Sequence, residues 1–326
     1  MAADDGDGIF VYLGGEQEVP SGVTHAIIDP SVKTVRRRAF SYRRQLVSVI
    51  FHDGVEIIEN ESFHECESLS GRIKLLGVRG IGERAFRNCF NLSDVEFGDK
   101  LKTIGDAAFY RCSLTSIKIS SVRSTKHLAF GYCYQLTEVE FGSDLETIGW
   151  HSFHECLRLQ RIAIPLKDKL FPFDKYDRRY NQFFNCRNLT TVDIVGDEGV
   201  RNTISSLLIE SWRDEMNEEI DRINRELPDI SMTEKAKFIR RWVRSVINRI
   251  EHYKAEHNRL LKEHMTQLEL AVWKAKLDEK DDDSAQWVQT KRANKVDEKS
   301  TRGEKRITSG ADNIIIKNVL PFLKLA

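Results

Sequence analysis

The sequence predicts an α+β chain: a single-stacked solenoid built on a parallel sheet, followed by an α-helical hairpin and a disordered tail. Three observations carry this. Phe40, Phe63, Phe86, Phe109, Phe130, Phe153 and Phe183 recur at intervals of 23, 23, 23, 21, 23 and 30 residues, a period proper to stacked repeats. Within the unit from Leu136 to Arg158, Val139 and Phe141 alternate with Glu138 and Glu140, the period-2 pattern of a strand with one buried face. After Ile194 the period changes, and Ile204, Leu208, Trp212, Met216, Ile220, Ile223 and Leu227 keep helical spacing.

Each part of the unit has a physical reason. Leu145 and Ile148 form a second inward turn, Gly149 permits a backbone bend, and Phe153 with Cys156 closes the coil. No coil can bury these groups alone. Stacked, they form a parallel sheet with strands about 4.8 Å apart and ladders of like residues inside.

Taken in order, residues 1–22 form an N-terminal cap, with Ile9 to Leu13 as an edge strand ended by Gly14-Gly15. The solenoid occupies 23–199. Arg36, Arg37 and Arg38 make a basic rim at its first turn, read as solvated rather than phosphate-binding because no aromatic residues interleave. The outward mid-strand row reads Ile50, Lys74, Glu96, Lys118, Glu140, Ala163 and Asp193. From Glu96 to Glu140 it alternates in sign, an exposed charge ladder contributing about 0–1 kcal/mol per pair.

This pattern resembles the BspA-type leucine-rich repeat, L-x-x-I-x-L-x-x-x-L-x-x-I-G-x-x-A-F-x-x-C. Copies begin at Val23, Leu46, Leu69, Leu92, Leu114, Leu136, Leu159 and Leu189. The Ala-Phe pair is complete at Ala39-Phe40, Ala85-Phe86, Ala108-Phe109 and Ala129-Phe130. Arg43 replaces the cysteine in the first copy, and Thr125 replaces a second-turn isoleucine. The resemblance implies a binding scaffold, since such proteins act at surfaces or in interactions and bring no catalytic motif to these residues.

Cys66, Cys89, Cys112, Cys133, Cys156 and Cys186 each follow the marker phenylalanine by three residues. One thiol per coil suits a buried packing ladder better than a zinc site, which wants paired thiolates converging on one ion. His64-Glu65 and His154-Glu155, just before two of these cysteines, are expected to face solvent.

Between Ile164 and Phe183 the chain gains seven residues over the normal period. This insertion carries Phe171, Phe173, Tyr176 and Tyr180 with Arg178 and Arg179. Two readings stand side by side: a contact loop for a partner, or a lid in which Phe171 and Phe173 fold over the last coils.

Residues 200–279 are expected to form a helical hairpin or coiled coil. One helix runs from Arg201 to Leu227 and is stopped by Pro228. A capping box at Ser231-Met232-Thr233-Glu234 opens a second, free of Pro and Gly to about Glu279. At 1.5 Å per residue the first spans about 40 Å and the second about 70 Å, so Leu260, Leu261, Met265, Leu268 and Val272 are left as candidates for helix pairing. The charged stretch 280–312 reads as a disordered linker. The apolar motif 313–326, NIIIKNVLPFLKL within it, either docks back on this chain or is a linear motif for another protein.

Fifty basic and fifty acidic side chains cancel, so no whole-molecule field points to nucleic acid or anionic membrane. The N-terminus lacks the pattern of a secretory signal, and no stretch approaches the roughly 20 apolar residues of a membrane span. A cytoplasmic location is expected, with a nuclear alternative from Lys291-Arg292 and Lys305-Arg306. There is no Gly-rich phosphate loop, no His-Glu-x-x-His and no recognisable nucleophile motif. The expected function is a non-enzymatic protein–protein interaction scaffold without cofactor or metal, whose partner is another protein, with a weak homodimer through the helix. The alternative is a nucleic-acid-associated factor using Lys235, Lys237, Arg240, Arg241, Arg244 and Arg249.

Overall fold

The computed structural model describes residues 9–172 and 181–293. Two compact units divide the chain, Met1–Tyr253 and Lys254–Ala326.

In the first unit each repeat is a coil of three runs. The first is a strand: Ile9–Tyr12, His25–Ile28, Ser48–Ile50, Arg72–Leu75, Asp94–Phe97, Ser116–Ile119, Glu138–Phe141, Arg161–Ile164 and Thr191–Ile194. These strands pair in parallel and in register within three successive sheets, the ladder being interrupted between Ser48–Ile50 and Arg72–Leu75 and between Asp94–Phe97 and Ser116–Ile119; Val139, for example, pairs with Ile117 and Ile162. The second run is a two-residue strand, and six of these, from Thr34–Val35 to Thr147–Ile148, form a second parallel sheet. Sequence reading placed only a turn there, because two residues are too few to show a period. The third run is a turn that carries the marker phenylalanine.

The seven phenylalanines form one interior stack. Successive rings lie 4.9–5.6 Å apart and within 12° of parallel, and every one is fully buried. Phe51, Phe97 and Phe141 meet the stack edge-on. Phe171 makes the same edge contact with Phe183 at 6.0 Å, so this member of the insertion belongs to the core and is 3% exposed.

The cysteine column is inward, and the thiols do more than fill space. Each Sγ donates to the carbonyl of the phenylalanine one coil earlier, as in Cys66 to Phe40 (3.1 Å), Cys112 to Phe86 (3.1 Å) and Cys186 to Phe153 (2.9 Å). The same carbonyl already accepts the backbone N–H three residues on, as Phe40 does from Arg43 and Phe86 from Cys89, so the thiol adds a second, inter-coil bond to a buried acceptor with two lone pairs. Thr125 keeps its place in the interior by bonding Ser152 Oγ at 3.0 Å.

Gly149 turns out to be required by proximity rather than by a bend. A Cβ there would lie 2.5 Å from the carbonyl carbon of Lys126, and Gly105 meets Gly82 of the preceding coil at 2.6 Å. Neither has a positive φ. On the sheet face Lys118 and Glu140 pair at 3.0 Å. Ala163, expected outward, is 4% exposed, because its register neighbours Glu140 and Asp193 carry longer side chains on either side.

Both ends of the stack are closed by polar contacts. Arg43, standing where later coils have cysteine, donates to the carbonyls of Val19 (2.9 Å) and Ser41 (2.8 Å). At the other end are α1 (Asp197–Ser205), α2 (Glu210–Glu226) and α3 (Lys235–Ala293). The single helix expected over 201–227 is two. Thr203, Ser205 and Ser206 turn their hydroxyls onto carbonyls of the preceding turn, competing with the helix ladder. Asn224 of α2 accepts the Val192 N–H at 2.8 Å, satisfying the last strand. Lys235, at the start of α3, is buried and donates to the carbonyls of Arg187 (3.2 Å) and Leu189. Trp242 Nε1 binds the Glu219 carbonyl at 2.8 Å.

In the second unit α3 continues to Ala293, past the point where a disordered linker was expected to begin. The absence of Pro and Gly, together with pairs such as Arg259–Glu263 at 2.9 Å, lets the helix propagate through a charged stretch.

Candidate functional site

The surface richest in recognition chemistry lies on the turn run of the first unit, and its origin is local backbone geometry. Among the described residues thirteen non-glycine positions have positive φ, and all fall two residues before or after the marker phenylalanine. Around Phe109 these are Ala107 (φ 51°) and Arg111 (φ 58°). With a left-handed residue on either side of the phenylalanine, the N–H groups of Ala107, Phe109 and Arg111 all point to the next coil, reaching the carbonyls of His127, Ala129 and Gly131 at 2.8–2.9 Å. Left-handed backbone costs about 1–2 kcal/mol per L-residue, and three inter-coil hydrogen bonds per turn offset it.

At several coils this geometry brings side chains of the two residues after the phenylalanine toward the surface, where successive coils stack them, while Ser41, Asn88, Gly131 and Asn185 stay buried. Tyr42 meets His64 edge-on at 5.3 Å. Arg87 lies 5.1 Å from the Tyr110 ring, and Arg111 lies 5.4 Å from Tyr110 and 5.5 Å from Tyr132. Tyr110 and Tyr132 are 5.0 Å apart. Tyr132 continues the row to Tyr134 and His154, and His154 stacks on Phe184 at 5.1 Å. Beside it, His127, His151 and Trp150 form a second aromatic cluster.

Of the residues expected to face solvent, His64 is buried, while His154, Glu65 and Glu155 are partly exposed. His64 is 9% exposed, and burial pushes both imidazoles below their usual range. Their neighbours Glu65 and Glu155 accept hydrogen bonds from Asn88 (2.5 Å) and Asn185 (2.7 Å). Among the described residues no group of three or more His, Cys, Asp or Glu is arranged to hold a metal.

Elsewhere the charges are used internally. Arg36 pairs with Glu16 at 2.5 Å and Arg38 with Glu61 at 2.8 Å. In the basic run of α3, Lys237 pairs with Glu234, Arg244 with Asp168 and Arg249 with Glu215. Buried Glu219 is raised by desolvation, but hydrogen bonds from Arg222 and Ser245 outweigh this and hold its carboxyl below the usual range. A shallow groove of about 340 Å³ runs beside Ile57, Glu59, Asn60 and Ile81. Its Glu59 is occupied by the Arg37 N–H at 2.7 Å.

Of the contact residues expected in the insertion, Phe171 lies in the core. Phe173, Tyr176, Arg178, Arg179 and Tyr180 lie outside the described residues, as do residues 294–326. In the second unit Leu260, Leu261, Leu268 and Val272 are half-buried along the helix, and Met265 is exposed. Leu270, Trp273 and Leu277 are 64%, 69% and 58% exposed. Sequence reading passed over these three because they sit off the heptad row, although the large apolar residue types were signal enough.

Among the described residues no helix is long and apolar enough to cross a membrane. Parallel coils, laddered interiors and a capped end define a stacked repeat solenoid. The sequence profile of the BspA type leucine rich repeat region matches this chain in six copies, over residues 21–119 and 71–190, and the chain belongs to that family. It is similar to the leucine-rich repeat protein of T. pallidum (24% identity, TM-score 0.42, covering 54% of this chain and 82% of that one). It is also similar to a leucine-rich repeat protein from Bacteroides ovatus (21%, TM-score 0.33, 53% and 61%) and to the pneumococcal vaccine antigen PcpA (18%, TM-score 0.36, 50% and 44%). No curated protein matches the chain.

Proposed function

We propose that this chain is a non-enzymatic protein-interaction scaffold whose distal α3 pairs with the same helix of a second copy. The observation that carries it is the row of half-buried and exposed apolar side chains along that helix. Leu261, Met265, Leu268 and Val272 step by four, three and four residues, a coiled-coil seam. Leu270, Trp273 and Leu277 add large exposed side chains. Such rows are rarely left in water, and one row can serve both partners of a two-fold pair because it is its own complement. Salt pairs from Arg259 to Glu256 (2.7 Å) and Glu263 (2.9 Å) flank the seam and keep the helix formed. The seam is short, which supports a weak homodimer. A cytoplasmic place of action belongs to this reading, supported by six cysteines held as free thiols, which persist in reducing compartments.

Sedimentation velocity tests the pairing. The full chain is expected to show a concentration-dependent dimer, and the Met265→Glu, Val272→Glu double variant a monomer of unchanged helicity. A dimer that survives both substitutions removes the helix from the interface. Dimerisation gained only when the chain ends at Asp312 makes segment 313–326 the occupant instead.

A further inference from the structure

We propose that the middle of the turn face, Arg87, Tyr110, Arg111 and Tyr132, binds a short acidic peptide segment of a partner protein. This rests on the reading of the chain as an interaction scaffold and names the chemistry of what it takes. Two arginines converge on one tyrosine ring, their guanidinium groups lying over Tyr110 and Tyr132, and neither forms an ion pair with a carboxylate among the described residues. The Nε of Arg87 is buried without a hydrogen-bond acceptor. Other arginines of the solenoid are neutralised, Arg38 by Glu61, Arg72 by Glu96, Arg79 by Glu56 and Arg161 by Asp193, whereas those without a carboxylate, such as Arg43 and Arg158, donate to carbonyl or amide oxygens instead. Two like charges gathered at one ring without a counter-ion are relieved by an anion that spans them. A carboxylate supplies that, with two oxygens for the N–H groups of a guanidinium. The adjacent Tyr132 and exposed Tyr134 offer flat surface for the flanking side chains, of the kind that anchors interfaces.

The limits of the site select a peptide over a nucleic-acid strand. In the column that holds Arg111, the positions two coils before it and two coils after it are Glu65 and Glu155. A strand carrying a phosphate at every step would run into both carboxylates. A peptide with one or two acidic residues between neutral ones would not. Segments of that kind, extended and rich in Glu and Tyr, are the occupants the charge pattern fits.

The test uses the full chain and fluorescence anisotropy with labelled (Glu-Tyr)4, its (Gln-Tyr)4 counterpart and an octamer of thymidylate. Binding of the acidic peptide is expected, weakening as salt rises from about 50 to about 500 mM. The Arg87→Gln, Arg111→Gln variant is expected to lose at least about tenfold in affinity with an unchanged melting temperature. Equal binding of both peptides, or equal affinity of wild type and variant, overturns the proposal. Arginine-dependent binding of the oligonucleotide alone overturns it in favour of nucleic acid. Because helix pairing is read separately by sedimentation, loss of peptide binding in a chain that still dimerises refutes only the acidic site. Loss of dimerisation with peptide binding intact refutes only the pairing.

Discussion

Raising the pH from about 8 to about 10 is expected to unfold the solenoid. Burial pushes all six thiols up, Cys66, Cys133 and Cys186 to about 12 and the other three well above the ordinary range. In the unfolded chain a thiol loses its proton above about pH 8.5. The folded state holds the proton longer, so the stabilisation is fully present below that pH and is lost as pH rises toward the folded value. Integrated from about pH 8 to about pH 10, where the unfolded thiol passes from mostly protonated to mostly ionised, each group removes about 2 kcal/mol, so six remove on the order of 10 kcal/mol, comparable with the whole stability of an ordinary domain. Thermal melts at intervals from pH 7 to 10 check this. In the Cys112→Ala, Cys133→Ala variant the slope above about pH 8.5 is expected to fall by a third, whatever the neutral-pH stability. A melting temperature flat across that range would mean that the thiols are not protected by burial.

Replacing Phe109 by Ala is expected to cost about 3–5 kcal/mol. The ring lies between Phe86 at 5.2 Å and Phe130 at 5.5 Å, with the edge of Phe97 at 5.7 Å, and the coils above and below cannot close on the gap without giving up their own ladder bonds. Glu140→Ala removes only its part-exposed contact with Lys118 and is expected to cost under about 1 kcal/mol. Chemical denaturation of both variants decides. Equal shifts would mean that the inward and outward assignments are interchanged.

Much of this was legible in the chain itself. The phenylalanine period, the alternation around Val139 and the inward cysteines are written at fixed spacings, and a spacing that recurs in every coil survives any local variation. What a single coil does to its backbone was not legible. Arg84, Ala107 and Leu128 have no intrinsic preference for left-handed φ, and they adopt it because three N–H groups per turn must reach the next coil. The Arg87, Tyr110, Arg111 and Tyr132 surface was hidden for a related reason. Its members come from three coils, at positions the repeat leaves free, and only stacking brings them together. Gly149 shows the same division: the sequence marks a position where a side chain is excluded, but only the structure shows that the obstacle is the Lys126 backbone of the previous coil. Helical extent depended on neighbours as well. Ser and Thr hydroxyls ended α1 at Ser205, while uninterrupted helix formers carried α3 on to Ala293. The sequence by itself therefore determined the repeat, its buried columns and its fold class, because these follow from periodic burial of apolar groups. Only the tertiary structure decided which side chains meet on the surface, because that depends on inter-coil hydrogen bonds between residues twenty or more positions apart.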